Sequence, residues 1–266
     1  MTAASLTDTR VTRRFADLKK QGRKGLVTFV TAGDPTPAAF TEILTGLPAA
    51  GADLIEVGVP FSDPMADGPS IQLSSQRALK HHVSLKSVLK SVADFRKTDN
   101  ATPIILMGYF NPVYRYGCEA FARDAVKAGV DGVIIVDLPP EEADELYIHL
   151  AANALHMIFL TAPTSSDARL PAILERASGF VYYVAVAGVT GTKLAEEDAV
   201  KTAVARLRRH TQLPIAVGFG IKTPAAAKAI AQHCDAAVVG SAIVDVVGKG
   251  GTPKDVLTFV RSLAGK

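Results

Sequence analysis

Eight short runs rich in β-branched and other apolar residues recur along this chain: Leu26–Ala32, Asp53–Pro60, Pro103–Tyr109, Gly132–Leu138, His156–Ala162, Phe180–Val186, Pro214–Gly220 and Ala236–Ile243. They are nearly continuously apolar rather than alternating, as expected of parallel strands covered on both faces. Between them lie Ala-rich segments with helical spacing, such as Ala38–Ala50, Cys118–Ala128, Glu141–Ala152 and Thr223–Gln232. Start signals precede three of these: Thr36-Pro37, Pro139-Pro140-Glu141-Glu142 and Lys222-Thr223-Pro224. Strand and helix therefore alternate over residues 1–266 with no linker or low-complexity tract, and one domain is expected.

Eight βα units are the count of a closed (β/α)8 TIM barrel, and a chain of 266 residues has the length for one. A doubly wound sheet is the competing arrangement. A nucleotide-binding sheet of that kind usually places a glycine fingerprint or a P-loop after an early strand. Here the first strand runs into Thr31-Ala32-Gly33-Asp34-Pro35, and the glycine-rich stretches follow strands six, seven and eight. The barrel is the favoured fold. In the leading segment Ser5–Gln21, Leu6, Val11, Phe15 and Leu18 have helical spacing and predict an extra helix that plugs the barrel floor.

The bulk numbers exclude several function classes. A net charge of +3 is too slight to suggest a nucleic-acid partner, and the cluster Arg206-Leu207-Arg208-Arg209-His210 reads as a solvated helix face. No apolar run approaches the length of a membrane span, and the first residues lack a secretory h-region, so a cytoplasmic protein with no membrane partner is expected. Cys118 and Cys234 lie far apart without a CxxC pairing and read as inert core thiols. The six histidines show no ligand spacing, so no metal is expected. Neither a GxSxG motif, a Cys/His pair nor a strand lysine suggests covalent catalysis.

In an α/β barrel the reacting groups lie at the C-terminal ends of strands and in the loops that follow. Alternation along the second strand puts Leu54, Glu56 and Gly58 on one face, and Ile55, Val57 and Val59 on the other. If the second set packs under helices, Glu56 points into the barrel mouth. Burial there disfavours its charge and poises it for proton transfer. The competing reading is a carboxylate bonded to a neighbouring strand or lysine. Asp63 and Asp67 follow in the loop Pro60–Pro69, where either can serve as a turn residue, and their nearness to Glu56 raises the functional reading. In that loop Phe61 and Met65 are expected to be exposed.

A phosphate site is expected where three glycine stretches converge. Gly188-Val189-Thr190-Gly191 follows strand six, Gly218-Phe219-Gly220-Ile221 ends strand seven, and Gly240-Ser241 lies at the end of strand eight. Glycines let backbone N–H groups approach an anion, and a following helix presents free N–H groups. No basic residue falls within these motifs, so backbone donors rather than arginines are expected to hold the phosphate.

The segment EVGVPFSDPMADGP, followed in order by MGYFNPVYRYG, VDLPPEEADEL, GVTG and GFGIKTP, resembles the α-subunit family of tryptophan synthases. The likeness runs from Phe29-Val30-Thr31-Ala32-Gly33-Asp34-Pro35 to Gly240-Ser241-Ala242-Ile243-Val244, nearly the whole chain. It implies a (β/α)8 barrel that cleaves indole-3-glycerol phosphate into indole and glyceraldehyde 3-phosphate by a retro-aldol reaction without a cofactor. It carries the family's catalytic acids onto Glu56 and Asp67, and its phosphate positions onto Gly191, Gly220, Gly240 and Ser241. Phe29, Met107 and Phe219 match positions flanking the indole, and Tyr182 matches a tyrosine beside the catalytic groups. The resemblance also implies an α2β2 heterotetramer with a pyridoxal-phosphate β subunit, to which indole passes. The loop Phe61–Pro69 and the segment Tyr109–Tyr114 are expected to face that partner. One departure is Ala185, where the family often carries a hydroxyl before GVTG.

Two alternatives stand beside this reading: a free-standing indole-releasing lyase, and a non-catalytic regulatory barrel that binds a phosphate ligand. Two other phosphate-handling barrels fit less well. An indole-glycerol-phosphate synthase calls for a catalytic strand lysine and a ribulose-phosphate epimerase for metal-binding strand histidines, and the strands carry neither set.

Overall fold

A computed structural model describes residues 6–185, 193–218 and 220–266. Nine strands are assigned among them: β1 (Gly25–Thr31), β2 (Leu54–Gly58), β3 (Ile104–Gly108), β4 (Gly132–Ile135), β5 (His156–Met157), β6 (Leu160–Thr161), β7 (Val181–Val184), β8 (Ile215–Gly218) and β9 (Ala236–Val239). All neighbours pair in parallel, in the order β5-β4-β3-β2-β1-β9-β8-β7-β6. The two ends of that order are consecutive stretches of one extended segment. Within it the Ile158 amide donates to Val133 O at 2.9 Å on one side, and Phe159 O accepts from the Tyr182 amide at 3.2 Å on the other. The sheet therefore closes on itself with eight positions. The expected fifth strand, His156–Ala162, appears as two short pieces because each half serves a different neighbour.

Helices alternate with the strands. They are α1 (Arg10–Lys20), α2 (Pro37–Ala50), α3 (Pro69–Leu79), α4 (Leu85–Phe95), α5 (Phe110–Tyr116), α6 (Cys118–Ala128), α7 (Asp144–Ala152), α8 (Leu170–Glu175), α9 (Lys193–Leu207), α10 (Pro224–Ala231), α11 (Ser241–Gly248) and α12 (Pro253–Leu263). Thr36 and Thr223 cap α2 and α10 through their hydroxyls, each with proline in the first helical turn. The helix expected from Glu141 begins instead at Asp144. The paired prolines first make a tight turn, Pro140–Glu142, in which Pro140 O accepts from the Ala143 amide. None of the helices among the described residues is long and apolar enough to cross a membrane.

The core divides as strand alternation requires. Ile55 and Val57 pack outward with the helices. Val27, Leu54, Ile105, Ile134, Ile158, Phe180, Ala216 and Ala236 form one inward layer, sealed from below by Val11, Phe15 and Leu18 of α1. Phe15 and Phe180 meet with ring centroids 5.7 Å apart. Charge fastens this plug to the strand starts. Asp131 accepts from the Ile104 amide and pairs with Arg10 and Arg96, while Asp53 accepts from the Leu26 amide and pairs with Arg14 and Arg23. His156, buried at the same end, bonds through Nε2 to the Oγ1 of Thr9, the cap of α1. Burial pushes its pKa down to about 4, so it is a neutral structural group.

Candidate active site

Two residues further along each strand, the inward layer changes character. In place of Val27, Leu54, Ile105, Phe180, Ala216 and Ala236 stand Phe29, Glu56, Met107, Tyr182, Gly218 and Val238. These six line a cavity of about 430 Å³ at the C-terminal end of the barrel. The loop after β2 adds Asp67, and Gly220, Lys222, Gly240 and Ser241 close the opposite rim. Glycine within a strand leaves room for a large neighbour. A Cβ on Gly58 would strike the Phe29 ring, and one on Gly218 would strike the Tyr182 hydroxyl.

Glu56 is 0% exposed, and neither carboxylate oxygen has a hydrogen-bond partner among the described residues. The reading of a carboxylate satisfied by a neighbouring strand or lysine therefore fails. Burial alone pushes its pKa up to about 8, so the group stands mostly as the neutral acid at pH 7. The Tyr182 hydroxyl is raised well above its ordinary value by burial and then by the charge of Glu56, which places the two groups in each other's field.

Asp67 is differently placed. It is partly exposed to the cavity, and burial raises its pKa while a bond from Tyr109 opposes the rise. Tyr109 Oη donates to Asp67 Oδ2 at 3.0 Å and accepts from the Ala66 amide at 3.0 Å. Gln72 Nε2 donates to the Asp67 carbonyl at 2.8 Å. The helix that carries Gln72 is itself fastened to the end of β1. Arg77 grips buried Asp34 with two bonds of 2.6 and 2.8 Å, and Thr31 Oγ1 lies 2.6 Å from Ser74 Oγ. The loop bearing Asp67 is thus held at both ends. Asp63 is exposed, bonded to Ser62, and outside the cavity.

The far rim holds the glycines. Gly220 has φ +25°, a conformation that disfavours side chains. Gly240 is the N-cap residue of α11, so the first turn of that helix, beginning at Ser241, opens beside the cavity. Unpaired N–H groups and the positive end of the helix dipole suit this rim to an anion. Gly191, Phe219 and the GVTG stretch lie outside the described residues. Among the described residues no cluster of His, Cys, Asp or Glu could hold a metal.

The structure gathers Phe29, Glu56, Asp67, Met107, Tyr182, Gly220, Gly240 and Ser241 around one cavity. It adds two residues that sequence reasoning missed. Sequence alone gives Tyr109 only a place in a partner-facing segment, although a tyrosine directly after β3 is placed to reach the loop that follows the adjacent β2. Lys222 corrects the expectation that no basic residue accompanies the glycines: it lies two positions after Gly220 and lines the cavity. Phe61 is a second correction. It is partly buried, its ring centroid 5.2 Å from that of Tyr109, and Met65 alone of the two is exposed.

The family model described as tryptophan synthase alpha chain matches residues 15–263. The fold is similar to that of tryptophan synthase subunit alpha from Legionella pneumophila str. Paris, with 39% identity and a TM-score of 0.90, covering 97% of this chain and 98% of that one. It is also similar to a chain of tryptophan synthase from M. tuberculosis, with 34% identity and a TM-score of 0.88, covering 97% and 98%. A structure from Aquifex aeolicus VF5 matches at 35% identity with a TM-score of 0.89, covering 97% and 98%.

Proposed function

The chain belongs to the tryptophan synthase alpha chain family, lyases of tryptophan biosynthesis that cleave indole-3-glycerol phosphate to indole and glyceraldehyde 3-phosphate, and we propose how its own residues perform that cleavage. The observation that carries the proposal is Glu56: a fully buried carboxyl without a partner, facing a cavity whose other side is built for an anion.

The indole ring sits between Phe29 and Met107, with Tyr182 beside the catalytic groups and the phosphate at Gly220, Gly240 and Ser241. Glu56 begins as the acid and gives its proton to indole C3. The ring becomes an indolenine cation, and Asp67 accepts from its N–H and stabilises the charge. Glu56, now a carboxylate, removes the proton from the hydroxyl on the carbon attached to C3. That O–H pair becomes the aldehyde C=O, and the carbon–carbon bonding pair returns to the ring. Indole and glyceraldehyde 3-phosphate leave, and Glu56 is again the acid. A raised pKa suits this order, because the first step needs the protonated form.

Burial also explains why a carboxyl stands inside an apolar strand: its proton must reach a carbon atom of an apolar ring. The partner is a β subunit in an α2β2 assembly, which takes the released indole. Met65, 83% exposed, and Tyr114, 58% exposed, mark the surface beside the cavity mouth that such a partner would cover. The direct test is to incubate the purified chain with indole-3-glycerol phosphate, with and without a β subunit, and to follow indole. Release by the chain alone at full speed, unchanged by the partner, would favour the free-standing lyase. No release under either condition would favour the regulatory barrel.

A further inference from the structure

We propose that Lys222 is the cation of the phosphate corner, pairing its ammonium with the substrate's phosphate dianion; this rests on the placement of the phosphate at Gly220, Gly240 and Ser241. The charges around the cavity motivate it. Glu56, Asp67 and Asp245 are its acidic lining residues, and Lys222 is its one basic lining residue among those described. A dianion entering a cavity lined by these acids needs a positive charge at its own end.

Lys222 is free to supply that charge. It is exposed, and no acid among the described residues lies within ion-pair distance of it. Asp245, one helical turn beyond Ser241 on α11, lies instead in the field of Arg77. The Lys222 backbone is held on both sides. Ile221 is 3% exposed, and Thr223 Oγ1 accepts from the Ala226 amide at 3.2 Å to cap α10. The stem of Lys222 therefore starts from a fixed point on the rim, and only the flexible ammonium end must order when the anion arrives. Backbone donors fix where the phosphate sits, while the lysine adds a point charge that strengthens binding without dictating orientation.

The test uses the full chain and glycerol 3-phosphate as the probe, with binding followed by calorimetry. Lys222→Ala should weaken binding about tenfold, Lys222→Arg should retain most of it, and Lys222→Glu should weaken it further than alanine. Raising the salt should weaken wild-type binding more than that of Lys222→Ala, because the variant has lost the screened charge. With indole-3-glycerol phosphate, Lys222→Ala should raise KM about tenfold with kcat within about twofold of wild type. A surface lysine of merely structural role would move none of these. Wild-type affinity in both Lys222→Ala and Lys222→Glu, with binding lost in Gly240→Val, overturns the lysine and keeps the corner. Wild-type affinity in Gly240→Val as well removes the corner and the lysine together.

Discussion

Tyr109 donates its phenolic proton to Asp67 Oδ2 across 3.0 Å, and the phenolic oxygen itself accepts from the amide of Ala66. One side chain therefore fixes both the carboxylate and the backbone that carries it. Tyr109→Phe keeps the ring and its stacking on Phe61 but removes both bonds. It should lower kcat about 10- to 100-fold, the range expected for a lost hydrogen bond to a charged group, with little change in binding of glycerol 3-phosphate. Steady-state assay of indole release checks this. An unchanged kcat would show that Asp67 needs no help from Tyr109.

Asp67→Asn should also lower turnover more than affinity. The variant loses the negative charge facing the transient cation, a contribution of roughly 3–4 kcal/mol where such charges have been removed elsewhere. Its loss should leave the Glu56 limb of the pH profile in place. With the acid form required first, turnover should hold below about pH 8 and fall above it, both in the wild type and in Asp67→Asn. A profile that rises through pH 8 would contradict the assignment of Glu56 as the initial acid.

The buried acid should also make stability depend on pH. Its folded pKa of about 8 lies above the ordinary value of 4.5, so between those limits the folded chain binds more protons than the unfolded one. Stability is fully present below pH 4.5 as far as this group is concerned, declines as pH rises, and levels off above about 8. The penalty at pH 7 is roughly 3 kcal/mol. Glu56→Gln cannot ionise and should escape it. Thermal unfolding of wild type and variant should therefore diverge between pH 5 and pH 8, with the variant the more stable at the higher pH. Parallel curves would show that Glu56 is solvated in the folded chain.

At the phosphate rim, two glycines should fail for different reasons. Gly220→Val puts a β-branched residue at φ +25°, so its backbone must move. Gly240→Val starts from an ordinary φ, and its Cβ would meet Phe29 Cβ at 3.3 Å, with the methyl groups filling the space before α11. Both should weaken glycerol 3-phosphate binding. Near-ultraviolet circular dichroism should show Gly240→Val still folded.

Most of the barrel could be read from the chain because each strand is nearly all apolar and several of the intervening helices carry a start signal, as Thr36-Pro37 and Thr223-Pro224 do. Alternation divides β2 into two faces, so Leu54 and Glu56 share one as expected, and the packing of Ile55 and Val57 against the helices turns that face inward. Register was less legible. Nothing local in His156–Ala162 says that its first half pairs with β4 and its second with β7. Side-chain reach was less legible still. The bond from Tyr109 to Asp67 spans 42 residues, and the flexible stem of Lys222 gives no periodic signal. Gly58 and Gly218 did carry a usable hint, since glycine within a strand marks a neighbour too large for a side chain.

The surface beside the cavity mouth should bind a β subunit. Mixing the chain with a cognate β subunit should yield a larger species in size-exclusion chromatography and faster indole release. Met65→Asp, at an 83% exposed position, should weaken both without unfolding the chain. A Met65→Asp chain that associates as tightly as wild type would move the contact elsewhere.

The proposed role of Glu56 is to carry the proton to and from the substrate, and single-turnover indole release by Glu56→Gln is its sharpest test. Glutamine preserves size and fills the same buried position but cannot cycle a proton. Loss of a general acid–base group costs about 10²–10⁴-fold, and Glu56 serves two transfers, so the rate should fall by at least the lower figure while glycerol 3-phosphate still binds. A Glu56→Gln chain that releases indole at the wild-type rate would return Glu56 to a purely structural role.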